Sequence, residues 1–276
     1  MKNKIPWVFL AGIGAYWMIE RLGKRGGASD AEVHVPLPGD DIVPHPMLET
    51  THAISIHAPA SLIWKWLIQA GYRGSGRAGW YSDRRLFLPL EKAFLRMTVP
   101  QNLLFLDPEM HSVDEILPAY QNTMVGDIIP DGPPNTAYFI VEQVEPERVW
   151  ALYSNSHLKY LSPTFLHGTA FEAQGEFSWV FVLNPIGERV TRLILRTRAN
   201  FGPKLFRRMI LPFVFLSEAI IPRLILGGIK QRAEHSVKGE MDPRPTTCRQ
   251  PKFYPLQYAQ PDPFGTLVRA QLYYGW

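Results

Sequence analysis

Residues 177–201 read FSWVFVLNPIGERVTRLILRTRANF, two runs of alternating side chains joined by a turn. Glu176 to Leu183 and Val190 to Ala199 fit a β-hairpin across Asn184-Pro185-Ile186-Gly187, because β-branched and aromatic residues repeat at period two and turn formers connect them. Trp179 and Phe181 fall on one face of the first strand and Val180 and Val182 on the other, so both faces are apolar. On the second strand Leu193, Leu195 and Thr197 share one face, and Arg192, Arg196 and Arg198 share the other. Two placements are open for the arginines. They lie on a solvated outer face, or Arg196 enters the interior and meets Glu176 or a ligand carboxylate, since an unpaired buried charge is costly.

Working outward, Tyr138 to Val144 and Arg148 to Ser154 read as two more strands, joined by a turn at Glu145-Pro146-Glu147. THAISIH at 51–57 alternates as a strand. Pro59 suits a helix first turn, with Leu62, Ile63, Trp66, Leu67 and Ala70 on one apolar face and Gly71 as a left-handed cap. A short helix is expected from Tyr81 to Phe94, and another at 111–116 with Ser112 and Glu115 as a capping box. Residues 203–236 read as a long helix that Pro212 and Pro222 would kink or divide. Its stretch 209–226 is apolar apart from Glu218 and Arg223, which suits burial against a sheet better than a lipid span. Antiparallel strands bracketed by helices define an α+β chain.

Composition is that of a folded protein, with 46% hydrophobic and 20% charged residues, which excludes a disordered chain. The net charge of +4 is unevenly spread: +3 over residues 1–30, −5 over 31–200 and +6 over 201–276. An acidic middle argues against nucleic-acid binding, whereas basic ends suit an anionic membrane surface. IPWVFLAGIGAYWMI at 5–19 is uncharged and apolar, with Lys2 and Lys4 before it and Arg21, Lys24 and Arg25 after it. At ~1.5 Å per residue it reaches about 22 Å, short of a ~30 Å hydrocarbon core, so it is read as a short anchor or interfacial segment. The positive flank places the main domain on the cytoplasmic side. Cys248 is the single cysteine, so no intrachain disulfide forms.

Catalytic signatures are sparse. GSGRAG at 74–79 has the GxGxxG spacing but follows a helix, so it reads as a glycine-rich turn. There is no GxSxG elbow and no HExxH pair, and neither a metal nor a cofactor is expected. His111 and Asp114 stand at i, i+3 and could form an acid/base couple, or simply cap a helix. Trp80 and Tyr81 could guard a pocket mouth or pack in the core.

The segments ISIHAPASLIWKWLIQAGYRGSGRAGWYS at 54–82, HSVDEILPAYQNTMVGDIIP at 111–130, residues 177–201, and GIKQRAEH at 228–235 together resemble the START and polyketide-cyclase-like (SRPBCC) superfamily, in its uncharacterised bacterial branch. The resemblance covers roughly 48–236 and implies a helix-grip fold: a curved antiparallel sheet wrapped around a long C-terminal helix, with an apolar cavity between them. Around that domain stand an anchor-like segment at 1–25, a linker at 26–47 and a Pro/aromatic-rich tail at 237–276. The leading expectation is binding of a hydrophobic small molecule or lipid at a membrane surface, with Trp80, Tyr81, His111, Asp114, Glu176, Trp179 and Arg196 as candidate ligand contacts. A cyclase- or hydrolase-type enzyme using His111, Asp114 or Tyr81 for proton transfer is the alternative. A structural membrane-associated domain without a ligand is the third reading.

Overall fold

The computed structural model describes residues 20–82, 111–161 and 172–239, with Gly14, Trp17, Met18, Gly168 and Thr169 besides. Strands β1 (Arg25–Gly26), β2 (Leu48–Ile56), β3 (Ile128–Pro130), β4 (Tyr138–Glu145), β5 (Val149–Ser154), β6 (Gln174–Pro185) and β7 (Thr191–Gly202) form one sheet in the order β1-β2-β7-β6-β5-β4-β3. Every neighbouring pair is antiparallel except β1 and β2. Helices are α1 (Asp30–His34), α2 (Ala60–Ile68) and α3 (Lys204–Lys238). The chain is therefore α+β, with a mixed sheet and a long C-terminal helix, as a helix grip requires. The β6–β7 hairpin pairs in the expected register, Phe181 opposite Leu195 and Trp179 opposite Thr197.

Two faces of the sheet carry two cores. The inner face, toward α2 and α3, packs Trp150, Leu152, Phe181, Leu193 and Leu195 against Trp66, Ile225 and Ile229. Outer-face residues Ala151, Val180, Val182 and Ile194 pack beneath Ala28, Val33, Leu37 and Ile42. Residues 26–47 thus lie across the back of the sheet, which is why both faces of β6 are apolar.

Arginines fasten that segment. Arg196 is 2% exposed and points to the outer face. Its Nε donates to Thr51 Oγ1, its Nη1 to Val35 O and Asp40 Oδ2, and its Nη2 to Glu32 O and Val33 O, over 2.7–3.2 Å. Five guanidinium N–H groups thereby meet five acceptors. Arg192 grips Glu32 through two hydrogen bonds of 2.7 and 2.9 Å, holding that carboxyl down at about 2. Arg198 reaches Asp40 and Glu49. Both placements expected for these arginines are corrected. They are not a solvated face, and Arg196 meets neither Glu176 nor the interior, because the preceding segment covers them.

Several local expectations change as well. α2 ends at Ile68, and its last carbonyls accept from a buried arginine: Arg77 donates to Ile68 O at 2.6 Å and Ala70 O at 2.7 Å. The glycine-rich turn delivers that side chain, and a Cβ on Gly71 would lie 2.6 Å from Arg77 Cδ. Residues 111–116 are not helical. Ser112 Oγ accepts from the Tyr81 N–H at 2.9 Å instead of capping a helix, and Arg232 of α3 holds the segment through Val113 O and Asp114. The expected helix from Tyr81 lies outside the described residues beyond Ser82, and Tyr81 itself has φ 60. α3 runs unbroken through both prolines. Among the described residues no helix is long and apolar enough to cross a membrane. Apart from Gly14, Trp17 and Met18, the apolar segment 5–19 lies outside the described residues, as does the tail 240–276.

Breaking a buried pair leaves an uncompensated charge, so Asp40→Ala should lower unfolding free energy by about 3 kcal/mol in urea denaturation. A loss below about 0.5 kcal/mol, the range of surface pairs, would show that Asp40 does not hold the segment.

Candidate functional site

Side-chain alternation sets the inner face as a grid. One cross-strand row runs Leu152–Trp179–Thr197–Thr50, and the next runs Ser154–Phe177–Ala199–Leu48. Trp179 is the centre of an aromatic wall. Its ring lies 5.1 Å from Phe139 in a stacked arrangement, 5.4 Å from Trp80 and 6.1 Å from Phe177, both edge-on. Phe139 is fully buried, whereas Trp80, Phe177, Trp179 and His157 keep part of their surface exposed.

A hydrogen-bonded chain orients the rim of this wall. His157 Nε2 lies 2.8 Å from Asp131 Oδ2 and its Nδ1 lies 2.6 Å from Ser154 Oγ. Asp131 Oδ1 accepts from the Trp80 indole N–H. A carboxylate only accepts, so Nε2 carries a proton; in the neutral ring Nδ1 then accepts from the Ser154 hydroxyl. Both ring nitrogens are engaged, and the imidazole packs 4.6 Å from Phe139 and 5.1 Å from Phe177. This chain sets the plane of Trp80 and gives the wall one polar edge.

Across the interior α3 contributes a second polar group. Glu218 Oε2 accepts from Thr50 Oγ1 at 2.7 Å. Burial pushes its carboxyl up to about 7, against the opposing pull of the Thr50 and Thr197 hydroxyls. Thr197, 2% exposed, stands beside the same carboxyl without a well-formed hydrogen bond, and the buried Trp179 Nε1 has no hydrogen-bond partner among the described residues. His52, in the same strand as Thr50, is fully buried; burial lowers its pKa to about 4, and its Nε2 lies 3.0 Å from Gly23 O.

Residues singled out in the sequence scatter. Trp80 and Trp179 meet in the aromatic wall. Tyr81 is a core residue, 0% exposed, with its hydroxyl donating to Trp66 O at 2.7 Å and accepting from Gln69 Nε2 at 2.9 Å. His111 is exposed, and Asp114 is exposed and paired with Arg232 at 2.9 Å. Glu176 lies on the outer face, where Tyr153 OH donates to it at 2.9 Å, in an open hollow of about 460 Å³ also lined by Asp41, Glu142 and Gln143. That hollow is on the opposite side of the sheet from α3. Burial first, then Glu176, pushes the Tyr153 hydroxyl up to about 12.

His157, Asp131, Thr50 and Glu218 were not among the sequence candidates. The one visible signal was Glu218, a lone carboxylate in an otherwise apolar stretch of helix.

The strand order, with a long C-terminal helix over one face, defines an α+β chain whose architecture is consistent with a helix grip. No family model matches the chain, and no curated protein matches it. Among solved structures it is similar to a protein from Mesorhizobium loti, 13% identical over 67% of this chain and 98% of that one, with a TM-score of 0.33. An aromatase/cyclase from Streptomyces sp. R1128 is 13% identical over 70% and 98%, with a TM-score of 0.29. A norcoclaurine synthase from Thalictrum flavum is 13% identical over 65% and 94%, with a TM-score of 0.28. Likenesses at these TM-scores carry no argument of their own, and the fold rests on the topology and register above.

Glu218 gives a pH signature. Its folded-state pKa is raised from 4.5 to about 7, so the folded state holds the proton more tightly. The stability this confers is present below about 4.5 and is lost as pH rises to about 7. Wild-type stability relative to Glu218→Gln should therefore fall across that window and level off above it, measured by urea denaturation at steps from about pH 4 to about pH 8. The difference between variants cancels the opposite trend of His52, whose lowered pKa makes stability rise with pH from about 4 to 6.5. A difference that does not change with pH would show Glu218 to be ordinarily solvated.

Proposed function

We propose that this chain binds an apolar small molecule between α3 and the inner face of the sheet. The observation that carries the reading is the partly exposed aromatic wall of Trp80, Phe177, Trp179 and His157 on the side facing α3. Aromatic surface left uncovered inside a fold is what a flat apolar ligand covers. Removing about 200 Å² of it from water gives about 5 kcal/mol before the costs of association. Few polar groups are needed to orient such a ligand, and the wall has them along its Asp131–His157 edge.

The enzymatic reading built on His111, Asp114 and Tyr81 has less support. Tyr81 has its hydroxyl bonded on both sides, and Asp114 is committed to Arg232 at the surface. Native mass spectrometry of the purified full-length chain should show a retained apolar molecule. Trp179→Ala should lose it, and His111→Ala should keep it. Retention in the wild type that is abolished by His111→Ala would overturn this assignment in favour of a site near residue 111.

The same reading extends to location. We propose that residues 5–19 tether the domain to the cytoplasmic face of a membrane. Support comes from the adjoining helical residues, where Trp17 and Met18 are 67% and 60% exposed and stand beside exposed Arg21 and Lys24. Residues 25–34 belong to the fold through β1 and α1, so a clean truncation stops before Glu20. Removing residues 1–19 should move the chain from the membrane fraction to the soluble fraction without detergent. A full-length chain already soluble would refute the tether.

A further inference from the structure

We propose that two neighbouring helical surfaces, Trp17–Met18–Leu22 before β1 and Leu216–Ile220 on α3, form one face that lies flat on an anionic bilayer. This docking presupposes the membrane tether of residues 5–19 and specifies how the domain sits on it. Gly14, Trp17, Met18 and residues 20–24 are helical. At about 3.6 residues per turn Trp17, Met18, Arg21 and Leu22 share one side, and Gly23 takes the other. Burial follows that division. Trp17, Met18 and Leu22 are 67%, 60% and 38% exposed, whereas Gly23 is buried, and a Cβ there would lie 2.4 Å from Phe215 O of α3.

α3 continues the face. Leu216, Ile220 and Arg223 stand at i, i+4 and i+7 on one side of the helix, the first two partly exposed and the arginine exposed. Phe215, Ala219 and Pro222 on its other side are buried. Two contacts set the stripe beside the amino-terminal helix. Lys24 Nζ lies 5.5 Å from the centre of the Phe215 ring, and His52, whose Nε2 lies 3.0 Å from Gly23 O, also feels the positive charge of Arg223. Apolar side chains, a tryptophan among them, with Arg21, Lys24 and Arg223 around them are what a bilayer interface accepts. Residues 204–223 add charge of the same sign, with Lys204, Arg207, Arg208 and Arg223 against Glu218 alone, and Glu218 is turned to Thr50. The chain leads from this face into the uncharged run 5–19, too short to cross the hydrocarbon core. A second copy fits worse, because pairing the face with itself brings like charges together.

Fluorescence of the full-length chain on vesicles tests the docking, with Cys248→Ser and an environment-sensitive dye on one introduced cysteine: Met18→Cys, Leu216→Cys, Ile220→Cys or Ile186→Cys. Ile186 is 60% exposed in the β6–β7 turn, at the far end of that hairpin from Phe201, which packs with Phe215. On vesicles of phosphatidylcholine and phosphatidylglycerol the dye should shift to shorter wavelength at positions 18, 216 and 220 and stay unchanged at 186. A basic side chain at an anionic surface is worth about fivefold in binding, so Arg21→Gln with Arg223→Gln should weaken vesicle binding about twentyfold. A shift at 18 without one at 216 or 220 overturns the docking and leaves the tether in place. So does binding that is equal on phosphatidylcholine alone or unchanged in the double variant. A shift at 216 that grows with protein concentration in the absence of vesicles overturns it in favour of a second copy. No vesicle binding by any labelled chain overturns the tether and the docking together.

Discussion

A guanidinium on the outer face of a β-sheet has two stable fates, water or a full set of acceptors, and Arg196 has the second. With five N–H donors at five acceptors, four of the five partners come from the nine-residue strip from Glu32 to Asp40. Hydrophobic burial alone would let that strip slide, because it is non-directional. The arginine ladder removes the freedom: Arg192 takes Glu32, Arg196 takes Asp40, and Arg198 takes Asp40 and Glu49. The apolar outer-face residues Ala151, Val180, Val182 and Ile194 are then covered in one register.

With those outer-face residues covered, the larger apolar surface is the inner face, and that face divides along α3. Toward the C-terminal half of the helix the interface is dry and interlocked. Trp66, Tyr81, Phe181, Leu195, Ile225 and Ile229 are fully buried, and a Cβ on Gly228 would sit 2.0 Å from Tyr81 O. Arg232 lies over the Tyr81 ring and binds the 112–114 segment to the helix. Nothing enters such an interface without unpacking it. Toward the N-terminal half the helix brings Glu218 to Thr50 and Thr197, and the rings of Phe177 and Trp179 on the same face of the sheet are partly exposed. One half interlocks with the helix, and the other leaves aromatic rings partly exposed.

The strands were legible because period-two alternation is local. β4, β5, β6 and β7 fall where Tyr138, Arg148, Glu176 and Val190 open their alternating runs, give or take two residues. The apolar character of both faces of β6 was visible too, though not which of them faced the interior. What covered the outer face was not visible, because residues 26–47 carry Pro36, Pro38, Pro44 and Pro46 with almost no periodicity. Such a segment is placed by its carbonyls and by Glu32 and Asp40, none of which has a pattern of its own. The failed helix at 111–116 has the same origin. Ser112 and Glu115 have capping-box spacing, but the hydroxyl is taken by the Tyr81 N–H, a tertiary contact that outcompetes the local one.

The site was less legible than the fold, and for a specific reason. Its polar half joins side chains far apart in the chain, Thr50 to Glu218 across 168 positions and His157 to Asp131 across 26. His111 and Asp114 drew attention because they are close in sequence, yet closeness there only places them on one exposed bend. Glu218 could have been found by asking what a carboxylate does in a helix otherwise suited to burial, since a charge in such a run needs a partner or a raised pKa. Thr50 supplies the partner and burial supplies the raised pKa. A single charged residue that interrupts an apolar helix therefore says more about the interior of this fold than any pair of titratable residues adjacent in its sequence.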